Sequence, residues 1–400
     1  MANYINAYAN QAQYDADATK QYPNVSLLRD SGTIVHKKRE PKPYLTFVAE
    51  EAGTFKFSGN SISYSLDDGD TWVTLASNTN TPTVPSGGKI SWKATLAPAS
   101  YKGIGTFSST GSFSVEGNIM SLLYGDNFVG QKDLTGKNFA FFYLFNGCDG
   151  LTSAEDLVLP AETLSNDCYD SMFAYCTSLT TAPAFPSVWW LELAPSCCYC
   201  MFSNCESLTT PPVLAATTLA NNCYSEMFMG CTSLTTAPEL PADTLANGCY
   251  SQMFNGCTSL TAAPELPATT LALNCYDNMF RDCTSLTTAP VMSATTLAEN
   301  CCTEMFRGCS SLTATPVLYA LEMEPHAYEN MFCDCYALNE VTMLAKSNLN
   351  ASAAFEYWLE SVQSSGTFYK NSEVTEWDLP GDAKPSGDWS YEDYDGDYPD

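Results

Sequence analysis

The sequence is poor in basic residues, in histidine and in charge generally. It holds 17 Lys and Arg against 45 Asp and Glu, which gives a formal net charge of −28 at pH 7. A chain this acidic repels phosphate backbones and anionic headgroups, so nucleic-acid binding and docking on a membrane surface are not expected. The only two histidines, His36 and His326, lie in different segments, which leaves little for histidine-dependent catalysis.

Long apolar runs are also absent. No window approaches 18 consecutive apolar residues, so no membrane-spanning helix is expected. The opening MANYINAYANQAQYDADATK lacks the basic segment and apolar core of a secretory signal, so we expect the chain to fold in a reducing cytoplasm. Charged residues make up only 16%, below the roughly 25% of an ordinary globular protein, which indicates a surface of Thr, Ser, Asn and Ala.

The strongest signal that is present is an internal repeat. Phenylalanines recur at spacings of 28, 29 and then five times 26 residues, each followed three residues later by Cys and, after three more, by Leu. They are Phe145, Phe173, Phe202, Phe228, Phe254, Phe280, Phe306 and Phe332. Eight units in register predict a solenoid, in which each unit buries its apolar side against its neighbours.

Each repeat divides into two halves. In NCYDNMFRDCTSL the apolar residues, from Cys275 to Leu286, recur at a spacing that predicts a helix with one inward stripe. The second half, such as LTTAPELPADTL from Leu234 to Leu245, is β-branched and carries two prolines. It predicts a short strand and a turn.

These repeats resemble the leucine-rich repeats of the BspA-like bacterial surface proteins, over roughly residues 138–344. In that family an aromatic residue, two further residues and a Cys lead through Leu and Pro to the next helix, and the matching text here is MFNGCTSLTAAPELPATTLALNCYDNMF. The resemblance implies an α/β leucine-rich-repeat solenoid of about eight units with a 26-residue period. The family's strand motif is displaced by one residue here, which leaves the strand register open.

The 18 cysteines are interpreted as core residues. Two cysteines eight residues apart on a helix, such as Cys223 and Cys231, are separated by about 12 Å, and neighbouring helices lie about 8–10 Å apart. Disulfides need Cα atoms within roughly 4.4–6.8 Å, and zinc needs four converging ligands. We therefore expect buried thiols, no metal and no cofactor. Four cysteines are additional to the two in each repeat: Cys198, Cys200, Cys302 and Cys333. A metal site at Cys198 and Cys200 is the alternative.

Residues 44–127 differ from the repeats. Short alternating runs separated by Gly, Ser, Asn and Pro predict a small all-β sandwich domain of about seven strands. Within it, SLDDGDTW from Ser65 to Trp72 fits the Asp-box pattern, which recurs in sialidases. A single copy is interpreted as a turn. A glycosidase in which Asp67 takes part is the alternative.

Residues 1–43 are predicted to be an anchoring arm. They hold six of the 17 basic residues, including Lys37, Lys38 and Arg39, against four acidic ones. The opening segment also resembles the N-terminal anchoring segments of structural proteins from phages of gut Bacteroidales. An arm that docks on an acidic protein assembly is the preferred interpretation, and a flexible basic arm is the alternative.

The solenoid is assigned to residues 128–344, and residues 345–400 are predicted to be a cap and an acidic tail. AFEYWLESVQSSGTFYKN predicts an amphipathic helix followed by a strand at GTFY, with four inward residues: Phe355, Trp358, Leu359 and Val362. The final DWSYEDYDGDYPD is predicted to be a disordered acidic tail, with a partner-binding role as the alternative.

No nucleophile with a base, no phosphate loop and no set of metal ligands stands out, so a non-enzymatic function is expected. Between Leu151 and Leu338 the only Lys or Arg residues are Arg281 and Arg307, which favours a glycan or a neutral to basic protein as partner. The candidate concave face consists of the residues after a recurrent proline: Val213, Glu239, Glu265, Val291 and Val317. A spacer with no ligand on this face is the alternative.

The preferred hypothesis is a phage virion structural protein, either a capsid decoration or head fibre or a tail fibre. It would be assembled in the host cytoplasm, bind other virion proteins through residues 1–43, and display the solenoid to a glycan or protein of the host surface. A homotrimer is the oligomer considered. The runner-up is a bacterial cell-surface leucine-rich-repeat adhesin. Neither hypothesis involves nucleic-acid binding or membrane insertion.

Overall fold

The computed structural model describes residues 5–8, 25–30, 33–38, 43–99, 101–186, 193–375 and 379–396. The chain falls into two compact units, Met1–Pro43 and Tyr44–Asp400.

The first unit contains a three-stranded antiparallel sheet in the order β1-β3-β2. Its strands are β1 (Ile5–Tyr8), β2 (Val25–Asp30) and β3 (Thr33–Lys38). Lys37 and Lys38 lie in β3, whereas Arg39 of the same basic run lies outside the described residues. The predicted arm therefore includes regular backbone structure.

The second unit begins with the predicted β-rich segment, which is confirmed as a β-sheet domain. A six-stranded sheet has the order β11-β10-β4-β8-β6-β7, and a two-stranded sheet pairs β5 with β9. Seven strands fall within residues 44–127: β4 (Leu45–Ala49), β5 (Phe55–Phe57), β6 (Ile62–Ser65), β7 (Val73–Leu75), β8 (Lys89–Lys93), β9 (Phe107–Ser109) and β10 (Phe113–Asn118).

Aromatic rings join these two sheets. Phe47 of the larger sheet lies 4.9 Å from Phe107 and 5.3 Å from Phe55, both in the smaller sheet, between ring centroids. Trp92 and Phe113 complete the cluster, and all five rings are buried. Burial of so much aromatic surface is the main source of stability for a domain with such short strands.

The larger sheet continues into the repeats. After β10 come a four-residue helix, α1 (Ser121–Tyr124), and a 3-10 turn at Gly125–Asn127. The chain then forms β11 (Leu151–Val158), which pairs in parallel with β10. The sheet therefore crosses the predicted boundary at residues 127 and 128.

The segments predicted as helices are chains of tight turns, so the prediction of one helix per repeat is wrong. The N–H of every second residue donates to a carbonyl three residues back in the same segment, as where Met279 donates to Tyr276 O at 3.1 Å. The N–H groups between them reach the next repeat, as where Phe280 donates to Met305 O at 2.8 Å. An α-helix would send each N–H to the carbonyl four residues back. We call each repeat a coil and this half of it, for example residues 274–283, a turn segment.

Every fourth residue of a turn segment has a left-handed backbone. The φ angles of Asn274, Asn278 and Asp282 are 55°, 55° and 58°. Gly, Asn and Asp adopt this region at the lowest cost, which explains their recurrence there. The apolar pairs Cys275–Tyr276 and Met279–Phe280 also repeat every four residues. A period of exact fours, without the drift of a 3.6-residue helix, is the sequence signal for turns.

The predicted strands are reduced to isolated parallel bridges in the middle coils, such as Leu266 with Met292 and Thr270 with Thr296. Prolines such as Pro264 and Pro267 cause this, because they lack the N–H that a strand ladder needs. In the described part of the coils, strands occur only near the two ends: β11, β12 (Glu340–Met343), β13 (Ser365–Lys370) and β14 (Asp388–Asp393).

The coils continue beyond Leu344, so the predicted end of the repeat is wrong. Residues 353–361 form another turn segment instead of an amphipathic helix, with left-handed φ at Ala353, Tyr357 and Ser361. The apolar pairs there keep the spacing of four. Three of the predicted inward residues are therefore buried and the last is half-buried: Phe355, Trp358, Leu359 and Val362.

The strand predicted at GTFY is confirmed by β13, which pairs in parallel with β12 and β14. The predicted disorder of the tail is wrong for Asp388–Asp393, which forms β14, because β13 offers it a free edge. Residues 397–400 lie outside the described part.

A stack of phenylalanine rings runs through the coils from Phe145 to Phe332. Neighbouring centroids lie 5.4–5.8 Å apart, with interplanar angles of 2–9°. Phe107 of the β-sheet domain stacks on Phe145 at 5.7 Å, so the two parts share one core. None of the described helices is long and apolar enough to span a membrane.

The left-handed positions can be tested at two adjacent, exposed asparagines. Asn222 has a φ of 53°, whereas Asn221 is not among the residues with positive φ. We expect Asn222→Val to lower the free energy of unfolding by about 1–2 kcal/mol, because a β-branched residue is strained there. Asn221→Val should change it by less than about 0.5 kcal/mol. Urea denaturation measures both, and equal losses would contradict the assignment of turns.

Candidate functional site

The predicted face residues stand in one column along the coils. Val213, Glu239, Glu265, Val291 and Val317 are spaced by 26 residues, the length of one coil. The register is visible where Leu266 N–H donates to Val291 O at 2.9 Å. Val213 is 79% exposed and Val291 64%, both glutamates are exposed, and Val317 is half-buried. The structure therefore brings equivalent residues of successive coils together and leaves four of the five accessible.

Threonines form two further columns on the strand side of the coils. Thr181 pairs with Thr210, and Thr270 pairs with Thr296. Several hydroxyls donate to a carbonyl of the preceding coil, as where Thr180 Oγ1 lies 3.0 Å from Thr152 O. Such a hydroxyl uses its proton within the protein and keeps its acceptor sites for solvent or a ligand. Both threonine columns are thus polar, and the exposed Asp243 adds a carboxylate beside Thr244.

The turn segments carry Arg281 and Arg307 together with acidic residues. The Glu304 carboxylate forms ion pairs with Arg281 Nη1 at 2.6 Å and with Arg307 Nη1 at 3.2 Å. Both arginines between Leu151 and Leu338 are therefore held by carboxylates. The positive charge is neutralised locally, and the remaining charge on this side is acidic.

A polar cluster that the sequence analysis missed lies on three successive coils. Glu226 accepts hydrogen bonds from Tyr199 Oη at 2.5 Å and from Cys200 Sγ at 3.2 Å. Burial, followed by the neighbouring Glu226 carboxylate, raises the pKa of the Cys200 thiol far above its usual range. Cys200 is one of the two surplus cysteines in PSCCYCMFSNC, so only that irregularity marks the cluster in the sequence.

Asp170 belongs to the same part of the surface but is itself buried. Ser171 Oγ donates to Asp170 Oδ1 at 2.6 Å. Burial raises the pKa of Asp170 to about 7, and the charges of Asp167 and Glu226 add to the shift, while the Ser171 hydrogen bond opposes it. The carboxyl group therefore changes charge near neutral pH.

The cysteines contribute hydrogen bonds as well as apolar volume. All 18 are free thiols, and 17 are buried, with Cys200 the half-buried exception. Seven donate Sγ–H to the carbonyl of the phenylalanine in the preceding coil, at 3.0–3.2 Å: Cys176, Cys205, Cys231, Cys257, Cys283, Cys309 and Cys335. Burial raises the pKa of Cys257 to about 12, so its thiol keeps its proton. The interpretation as apolar filling missed this contact.

Metal and disulfide chemistry have no support in the described residues. No group of three or more His, Cys, Asp or Glu side chains among them is placed to hold a metal ion. The surplus Cys198 and Cys302 are fully buried. They occupy the positions that Tyr224 and Tyr276 hold in neighbouring coils.

The Asp box is a turn between β6 and β7. Asp67 accepts hydrogen bonds from Ser65 Oγ at 2.6 Å and from Thr71 N–H at 2.8 Å. Hydrogen bonds from Ser65 and Thr71 lower the pKa of Asp67 to about 2. Trp72 Nε1 donates to Gly69 O at 3.1 Å and closes the turn. The carboxylate is thus engaged in shaping its own loop.

Comparison with known proteins found no matching family model, curated protein or solved structure.

The state of the cysteines can be tested by counting reactive thiols. In the native protein at neutral pH, we expect Cys200 alone to react, and slowly, because its pKa is raised and the other 17 thiols are buried. In guanidinium chloride without reductant, all 18 should react. Cys200→Ser should abolish the native reaction. Fewer than 18 reactive thiols after unfolding would indicate disulfides and contradict the structure.

Asp170 should make stability depend on pH. Its folded pKa of about 7 lies above the unfolded value of 3.8, so the contribution of Asp170 to stability is fully present below about pH 4 and is lost as pH rises to about 7. The slope from one such group is at most about 1.4 kcal/mol per pH unit. In urea denaturation across this range, Asp170→Asn should flatten the slope, whereas the exposed control Asp243→Asn should not. An unchanged slope in Asp170→Asn would refute this contribution.

Proposed function

We propose that the protein is a non-enzymatic structural protein of a phage virion, a capsid decoration or head fibre or a tail fibre. Residues 1–43 bind other virion proteins, and the coils bind a glycan or protein on the host surface. The observation that carries the recognition role is the column from Val213 to Val317, in which Val213 and Val291 are exposed three coils apart and the exposed Glu239 and Glu265 stand between them. Val291 and the half-buried Val317 lie in neighbouring coils, and apolar side chains that are exposed together are typical of binding surfaces.

The chemistry of this face favours a neutral ligand. Valine side chains pack against the apolar faces of a ligand, and threonine hydroxyls exchange hydrogen bonds with its polar groups. Glu239 and Glu265 lie in the same column and disfavour an anionic ligand. A repeated surface also offers the same contact several times, which raises the avidity for a repetitive glycan or protein.

Two observations support the assignment to a virion. Residues 1–43 concentrate six of the 17 basic residues of an otherwise acidic chain, and they form a compact unit of their own. Their sequence also resembles anchoring segments of Bacteroidales phage structural proteins. Electrostatic attraction would draw this unit to an acidic protein assembly.

We also propose that the coils are leucine-rich repeats of the BspA-like kind in which turn segments replace the helices, and that residues 44–127 form a β-sandwich. The recurrent Phe, Cys and Leu support the first proposal. The aromatic cluster between the two sheets supports the second.

The recognition role predicts the effect of lysine substitutions in the column. Val213→Lys together with Val291→Lys should reduce adsorption of virions to host cells roughly tenfold, since the loss of about 1.4 kcal/mol of binding energy is a tenfold change. Val129→Lys is the matched control, because Val129 is 58% exposed and lies outside the column. Equal adsorption of both variants would contradict binding through this face, and thermal unfolding of both checks that the fold is intact.

The anchoring role predicts the effect of removing residues 1–43. The shortened chain should be absent from purified particles, whereas its coils should still bind host cells. Incorporation at the full-length level would contradict anchoring through this unit. Detection of the protein on bacterial cells that carry no phage would favour the adhesin alternative.

A further inference from the structure

A row of aromatic rings crosses from the β-sheet domain onto the first coils. Tyr101, in the loop between β8 and β9, lies 4.9 Å from Phe139 between ring centroids, and Phe139 lies 5.6 Å from Phe142. Phe142 lies 3.9 Å from Tyr143, and Tyr175 of the next coil is close enough for its charge to act on the Tyr143 hydroxyl. We call these five residues the aromatic stripe. Its three tyrosines are 78%, 42% and 54% exposed in chain order, and exposed aromatic surface of this extent is typical of a binding site.

The aromatic stripe is built on an unfavourable backbone. Four of its residues are left-handed, with φ of 56–62°: Tyr101, Phe139, Tyr143 and Tyr175. In later coils, Asn278 holds the position of Tyr143 and Gly256 that of Tyr175, and both residue types adopt this backbone at lower cost. Exposed rings also gain little from burial, so folding alone does not account for these tyrosines. A left-handed backbone at a bulky, exposed residue points to a function of its side chain.

Carboxyl groups stand at the coil end of the aromatic stripe. Burial raises the pKa of Tyr143, and the nearby Asp170 and Cys200 add to the rise. Cys200 Sγ in turn lies 3.2 Å from a carboxylate oxygen of Glu226. The aromatic stripe therefore ends beside two carboxyl groups that belong to different coils.

These carboxyl groups repel one another. Burial raises the pKa of Asp170 to about 7, and the charges of Asp167 and Glu226 add to the rise. Residues 152–280 contain no Lys or Arg, so these coils supply no positive charge of their own. Lys102 adjoins the other end of the aromatic stripe in the sequence. A cation bound at the coil end would reduce the repulsion, which makes this end complementary to a basic partner.

An arginine side chain combines the two contacts that this surface offers. Its guanidinium group stacks on aromatic rings and pairs with carboxylates. A neutral sugar also stacks on aromatic rings, but it leaves the repulsion among the carboxylates in place. We propose that the coil end of the aromatic stripe binds an arginine side chain of a basic partner protein, which stacks on Tyr143 and Tyr175 and pairs with Glu226. This surface is separate from the column of Val213 to Val317 and does not depend on the assignment to a virion.

NMR of the tyrosine rings in the full chain tests the site directly. The protein is labelled with tyrosine that carries ¹³C in its ring, and the variants Tyr143→Phe and Tyr175→Phe identify the two signals. N-acetyl-L-arginine amide should shift both with saturation in the millimolar range, the affinity of a ligand with few contacts. Tyr336 should not shift, because it is 57% exposed but its partner Asp334 already pairs with Arg307 at 3.8 Å. Absence of a saturable shift at Tyr143 and Tyr175 would overturn the proposal.

Two neutral probes test the need for positive charge. N-acetyl-L-citrulline amide has nearly the shape of the arginine probe without its charge, and it should bind roughly tenfold more weakly because the ion pair is lost. Methyl β-D-glucoside represents a glycan and should bind more weakly than the arginine probe. If either neutral probe binds as tightly as the arginine probe, the surface does not select a cation and the proposal is wrong.

Two substitutions test the residues of the site. Gln252 holds, in a later coil, the position of both Tyr143 and Glu226, so glutamine fits this backbone. Glu226→Gln should weaken binding of the arginine probe roughly tenfold and Tyr143→Gln roughly threefold, as followed by the Tyr175 signal. Glu299→Gln removes an exposed carboxylate of a distant coil and should change the affinity less than about twofold. Equal losses in Glu226→Gln and Glu299→Gln would indicate general attraction to an acidic protein and would contradict a specific site.

Discussion

The coils depend on one backbone constraint, the left-handed residue at every fourth position of a turn segment. That residue turns the chain so that alternate N–H groups close tight turns and the others reach the next coil. Two apolar residues out of every four then face inward. The phenylalanine stack and the thiol-to-carbonyl bonds follow, because both need coils in register. A left-handed residue costs least for Gly, Asn or Asp, which hold many of these positions, while residues such as Glu226, Gln252 and Tyr357 hold others.

Much of this organisation is predictable from the sequence, because a repeat must stack on itself. The 26-residue period, the inward Phe, Cys and Leu, and the column at Val213 and Val291 require only that equivalent residues lie together. The β-rich segment is equally clear from its alternation. The turns are harder to predict, since apolar residues at i, i+1, i+4 and i+5 fit a helix over one short segment. The period of exact fours, together with residues suited to a left-handed backbone such as Asn274, Asn278 and Asp282, distinguishes the two.

The remaining errors have a common physical origin. The C-terminal region departs from the repeat in composition, so its membership of the coils rests on spacing alone, as at Phe355 and Leu359. Cys200 and Glu226 are 26 residues apart, at equivalent positions of neighbouring coils, but the residue type varies at this position, so the repeat pattern does not mark their cluster with Tyr199. Hydrogen bonds between turn segments run from the N–H of the earlier coil to the carbonyl of the later coil, and no feature of the sequence predicts this direction. At the first turn segment, the carbonyl edge that this direction creates is covered by the β-sheet domain, where Phe107 N–H donates to Leu144 O at 2.7 Å.

Far-ultraviolet circular dichroism of the full chain distinguishes turn segments from helices. We expect a spectrum without the paired minima of α-helix, because the only described α-helix is the four-residue Ser121–Tyr124. We also expect the spectrum to be lost cooperatively when the coils unfold. A strong helical signal, of the size that one helix in each coil would produce, would contradict the turn segments and restore the helical repeat.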